Sequence, residues 1–113
     1  MIKKIIISLT YILLFFNTNL LSNENNKELK IGLLAPFSGE YKNLGKSLLF
    51  SIQLALSEIG DSKIIIIPRD SGTNDKDQLN NSIKEIADSG ARVIIGPMSS
   101  DDFNEIKKYK DLI

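Results

Sequence analysis

The chain alternates between two hydrophobic patterns. Short apolar runs without polar alternation occupy Leu29 to Ala35, Lys63 to Ile67 and Arg92 to Gly96, most plainly Ile64-Ile65-Ile66-Ile67 and Val93-Ile94-Ile95. Runs of this kind, rich in β-branched residues, belong to strands covered on both faces in a parallel sheet. Between them the apolar residues recur at helical spacing. Leu44, Leu48, Ile52, Ala55, Leu56 and Ile59 form one stripe of a helix over Leu44 to Ile59, and Gly60 follows as a stop signal. Leu79, Ile83, Ile86 and Ala87 form the stripe of a second helix over Lys76 to Ser89, with Asp75 and Asp77 at its positive end and Gly90 after it. Phe50 and Leu54 read as packing residues of the first helix. A third helix from Asp101 carries Phe103, Ile106 and Tyr109.

Strand and helix therefore repeat three times, which predicts an α/β fold in three layers: a partial doubly wound parallel sheet with helices on both faces. Right-handed crossovers with a helix on each face favour strand order 2-1-3. Pro36, Pro68 and Pro97 fall at the carboxyl ends of the three strands, where the missing N–H is expected to end pairing. Each opens a polar loop: Phe37-Ser38-Gly39-Glu40-Tyr41, Arg69 to Asn74, and Met98-Ser99-Ser100-Asp101-Asp102. The winding reverses between strands one and three, and open α/β sheets bind ligands outside the carboxyl ends at such a point. The first and third loops are the expected half-site, with the second further to the side.

The amino terminus has a different pattern. Lys3 and Lys4 precede an apolar run from Ile5 to Phe16, and a polar stretch begins at Asn17. This is the layout of a signal peptide over residues 1–22, followed by a polar lead-in over 23–28 and the domain over 29–113. The run falls short of the about 20 apolar residues of a spanning helix, although Leu20 and Leu21 extend it toward a signal anchor.

Composition narrows the chemistry. The 113 residues contain 14 Lys plus Arg and 14 Asp plus Glu, and removing Lys3 and Lys4 leaves a mildly acidic domain, which speaks against nucleic acid as a partner. There are no cysteines and no histidines. Disulfides, thiolate metal sites, cysteine nucleophiles, a lipid-attachment cysteine and histidine acid–base chemistry are all excluded. No metal, no cofactor and no enzymatic activity are expected. The stretch Gly39 to Ser47 approaches a phosphate-binding loop, but it places five residues between Gly39 and the pair Gly45-Lys46 where converging amides need four. Gly45 is better read as permitting close packing at the start of the helix.

The words Lys30-Ile31-Gly32-Leu33-Leu34-Ala35-Pro36-Phe37-Ser38-Gly39, then Gly45, then Pro68-Arg69-Asp70-Ser71-Gly72, then Gly96-Pro97-Met98-Ser99-Ser100 resemble, in order and spacing, the start of type I periplasmic binding proteins of the leucine-binding kind. The resemblance implies the N-terminal part of lobe 1 of a two-lobed fold whose lobes close over a small molecule such as an amino acid. It also implies a periplasmic location and delivery to an inner-membrane ABC permease. A second branch with the same fold, the penicillin-binding-protein activators, implies instead a regulator whose partner is a cell-wall synthase. The short turn Gly60-Asp61-Ser62 and the Pro68 to Gly72 stretch lean toward that branch, and the missing lipid-attachment cysteine leans away from it.

The candidate ligand contacts are Ser38, Gly39 and Tyr41 in the first loop and Ser99 and Ser100 in the third. The third helix's amino terminus offers amides and a dipole to a carboxylate. The resemblance suggests that the serines, with Gly39, contact the ligand's carboxylate or ammonium, with Tyr41 covering it. A serine ahead of Asp101-Asp102 is equally well explained as a helix cap. Arg69 and Asp70 read as loop or cleft-edge residues.

Overall fold

The structure, a computed structural model, describes residues 27–112; the expected signal peptide and most of the lead-in lie outside the described residues. Strand β1 runs Leu29–Ala35, helix α1 Lys42–Ile59, strand β2 Ile64–Asp70, helix α2 Lys76–Asp88, strand β3 Val93–Ile95 and helix α3 Ser100–Ile106, which tightens into a 3₁₀ turn over Lys107–Tyr109. The three strands form one all-parallel sheet in the order β2-β1-β3. Leu29 lies beside Ile64 and Ala35 beside Asp70, while Ile31 pairs with Val93 and Leu33 with Ile95.

The central strand tells the two faces apart. Leu34 joins Leu79, Ile83 and Ile86 of α2 and Ala91 in a buried cluster, with Ile94, Ile106 and Tyr109 packed against it. Each such side chain contributes about 1.5–3 kcal/mol through removal from water. Gly32 lies directly beneath Ile86, so α2 sits close to the strand backbone. Leu33 and Ala35 alternate with Leu34, are equally inaccessible and face the other side, where α1 lies. Helices α2 and α3 thus share one face, and α1 covers the other, as right-handed crossovers in this strand order require.

Helix ends follow the chemistry of their residues. Gly60 closes α1 in a left-handed conformation (φ 68°) and donates its N–H to the Leu56 carbonyl at 2.9 Å. The Asp75 carboxylate accepts from the amides of Asp77 and Gln78 at the start of α2.

Three expectations are corrected. Pro68 does not end its strand: β2 continues through Pro68 and Arg69 to Asp70. The register explains why. Leu29 donates to the Lys63 carbonyl and Ser71 donates to the Ala35 carbonyl, so odd-numbered positions of β2 turn their amides toward β1. Pro68, an even position, turns its missing donor away from β1, toward the side where no described strand lies, and proline is tolerated there. β3 is shorter than the predicted strand, because neither Arg92 nor Gly96 is part of it. Finally, Phe50 and Leu54 are 66% and 55% exposed and do not pack into the core. Each lies two residues, or about 200°, round the helix from the half-buried Leu48 and Ile52. Within the predicted stripe Leu48, Ile52 and Leu56 are half-buried, whereas Leu44, Ala55 and Ile59 are exposed.

Candidate functional site: a cleft at the carboxyl edge of the sheet

All three strand-end loops reach one cleft of about 380 Å³, within the range of small-molecule sites. The first loop and the start of α1 contribute Pro36, Tyr41 and Leu44, and the third contributes Met98, Ser99, Asp101 and Asp102. The second loop, expected further to the side, supplies Ser71, Gly72, Thr73 and Asn74 and forms a wall of the same cleft.

The cause of that difference is Asp70, the last residue of β2. One oxygen of its carboxylate accepts from the amides of Phe37 at 2.8 Å, Ser38 at 3.3 Å and Gly72 at 2.9 Å. Its backbone carbonyl accepts from the buried Ser82 hydroxyl at 2.6 Å, which fixes the strand end to α2. Thr73 adds a contact to the Ser38 carbonyl at 3.5 Å and lies against Gly39, where a Cβ would come within 2.6 Å of its hydroxyl. The first two loops are therefore held together as one unit. Burial pushes the Asp70 carboxyl upward, but the nearby Ser38 hydroxyl and the amides of Gly72, Phe37 and Ser38 outweigh it, and the net shift is below the ordinary 3.8. A folded-state value below the unfolded one gives stability that is complete above the unfolded value and is lost as pH falls through the folded value. Asp70→Ala, which leaves three amides without this acceptor, is expected to cost about 1–2 kcal/mol at neutral pH. Paired urea titrations at neutral and acidic pH should show the gap between wild type and variant shrinking on acidification. A gap that stays constant or widens there would contradict this role.

The predicted contacts divide. Tyr41 and Ser99 line the cleft, and Tyr41 is 53% exposed. Ser38, Gly39 and Ser100 are exposed and do not line it. Ser38 and Gly39 instead form the junction with the second loop, and Ser100 is the first residue of α3. Ser99 is the cap of α3: its hydroxyl accepts from the amides of Asp101 and Asp102, each at 3.2 Å. Those two amides are therefore already satisfied, and two carboxylates occupy the first turn, so the expected pull on a ligand carboxylate is weakened at its source. Arg69 points away from this chemistry. It pairs with Glu85 at 2.6 Å and returns to the Pro68 carbonyl.

Sequence reasoning missed Ser71, which is only 4% exposed yet lines the cleft. A serine directly after a strand-ending aspartate was the available signal. Asp102, half-buried, has its carboxyl pushed upward by burial and then by the charge of Asp101. Among the described residues no group of three or more His, Cys, Asp or Glu is placed to hold a metal ion.

A family model described as periplasmic binding protein matches residues 28–111, all three strands and all three helices. The chain belongs to the periplasmic binding protein family. No curated protein and no solved structure matches it. The residues matched include the three strand-end loops that converge on the cleft. The chain is thus a ligand-binding protein built on part of this fold.

Proposed function

We propose that this chain contributes one wall of the ligand site in an exported receptor, which binds a small solute of the amino-acid kind between two lobes and delivers it to an inner-membrane ABC permease. The observation that carries the reading is the convergence of three loops on one cleft at the carboxyl edge of the sheet, beside the reversal between β1 and β3, in a member of the periplasmic binding protein family. The mixture of Tyr41, Leu44 and Met98 with Ser71, Thr73 and Asn74 suits a ligand with both an apolar body and polar ends. Binding rather than turnover is the proposed activity, and the leader pattern together with the family supports export to the periplasm. Thermal denaturation of the full-length protein against a panel of amino acids tests the proposal. A true ligand at a hundredfold excess over its Kd should stabilise the folded state by about 2.7 kcal/mol. Absence of any stabilisation across the panel would sink the receptor reading.

A further inference from the structure

One face of α1 is apolar and uncovered among the described residues. Phe50 and Leu54 are 66% and 55% exposed on the side of the helix opposite Leu48, Ile52 and Leu56, so they stand away from the sheet rather than toward a neighbour in the same layer. At four-residue spacing they belong to a single row on the helix surface, Lys42-Lys46-Phe50-Leu54-Glu58, which is basic at its start and acidic at its end. Every member of the row is exposed, and none lines the cleft.

The order of the charges is a second, independent observation. A helix on its own favours acids in its first turn and bases in its last. Helix α1 has neither: Lys42 stands in the first turn and Glu58 in the last. Among the described residues Lys42, Lys46 and Glu58 enter no ion pair. Lys46 and Glu58 cannot pair within one helix, because they stand about 18 Å apart along its axis. The charges thus work against the helix that carries them and find no counter-charge in it.

We propose that this face docks a second copy of the chain across a two-fold axis, with the two rows antiparallel. Antiparallel rows set Phe50 of each copy against Leu54 of the other and bring Lys46 of each copy to Glu58 of the other, so that both ends of the contact join opposite charges. Parallel rows would join like charges. Helices that pack along rows of this spacing cross at about 50°, and a two-fold contact closes on itself, which gives a dimer and no larger assembly. One helix crossing is smaller than the roughly 1,200 Å² of a standard interface, so the dimer is a concentration-dependent one.

Sedimentation equilibrium of the full-length protein, followed from micromolar to millimolar concentration, tests the proposal. A monomer–dimer equilibrium is expected that weakens with added salt. The dissociation constant should rise about tenfold or more in Phe50→Gln, and about tenfold in Lys46→Glu or Glu58→Lys, because each reversal puts like charges at both ends of the contact. The double variant Lys46→Glu/Glu58→Lys restores opposite charges and should recover the wild-type dimer, a result that a folding defect does not imitate. Lys84→Glu, at an exposed position of α2, should leave the dimer unchanged. A protein that stays monomeric throughout, including one whose Phe50 face binds phospholipid vesicles or another protein instead, overturns the proposal. So does a dimer indifferent to Phe50→Gln, or a double variant that fails to recover. The receptor reading stands in each case, because the cleft lies elsewhere.

Discussion

Gly96→Ala is expected to remove roughly 3–5 kcal/mol of stability, a large share of what a domain of this size possesses. Two costs coincide at this position. Gly96 has φ 101°, where an L side chain is strained. A Cβ there would also overlap the Leu34 carbonyl oxygen. That oxygen belongs to the backbone of the central strand, and Leu34 is fully buried in the main cluster, so neither partner can yield without displacing β1 or opening the sheet end. Gly90 isolates the first cost: it has φ 81° but open space around its Cβ position. Gly90→Ala should therefore lose only about 1–2 kcal/mol. Urea denaturation of the two variants in the full-length protein measures the difference. Equal losses would mean that the contact with Leu34 contributes nothing. Because Gly96 stands directly between β3 and the loop carrying Met98 and Ser99, ligand binding should fail in the same variant even where it remains folded.

The order and direction of the strands were legible because burial on both faces leaves a continuous apolar run that little else explains. Strand β1 matches its run residue for residue. The ends of the other two were less legible, for opposite reasons. Proline carries a strong stop signal, yet its effect depends on which side of the strand its nitrogen faces, and that depends on register with β1 rather than on local sequence. At β3 the apolar run is only three residues long, and the flanking Arg92 and Gly96 carry no strand preference of their own. Helix α1 shows the limit of periodicity. Spacing put Leu48, Ile52 and Leu56 on the stripe that is half-buried, but the helix's apolar residues cover more than one face, so spacing alone did not show that Leu44, Ala55 and Ile59 on the stripe, and Phe50 and Leu54 off it, stay exposed.

The site was half legible. Topology points to the edge where it lies, and Tyr41 and Ser99 are on it. The second loop was misplaced because lateral position in the sheet was allowed to decide, whereas Asp70 draws that loop against Phe37 and Ser38 through three amides contributed by two different loops. No local pattern marks an aspartate that works across thirty-odd residues of chain. The third loop carries the opposite lesson. Ser99 followed by Asp101-Asp102 has the form of a capped helix start, and capping consumes the amides that would otherwise have invited a carboxylate.

Gly45→Ala offers a contest between two physical rules with opposite signs. Gly45 lies within α1 and carries no positive φ, so helix propensity alone predicts a gain of about 1 kcal/mol from alanine. Packing predicts the reverse. The Cβ would overlap the Pro36 carbonyl oxygen, come within 2.8 Å of the Pro36 carbonyl carbon and press on the Phe37 ring at 3.3 Å. The two Pro36 atoms are backbone directly after β1, and Pro36 is itself buried, so relief requires moving the whole first turn of α1. Overpacking of a backbone–backbone approach outweighs propensity, and the net expectation is a loss of about 3 kcal/mol, measured by urea denaturation of the full-length protein. Stabilisation by alanine would show that helix and loop separate freely. The same displacement reaches the cleft, since Tyr41 and Leu44 lie within four residues of Gly45 and both line it. A ligand that stabilises the wild type should therefore bind Gly45→Ala more weakly even under conditions where the variant is fully folded. Gly60→Ala, at the far end of the same helix with nothing near its Cβ position, should leave binding unchanged while paying only the strain of its left-handed backbone.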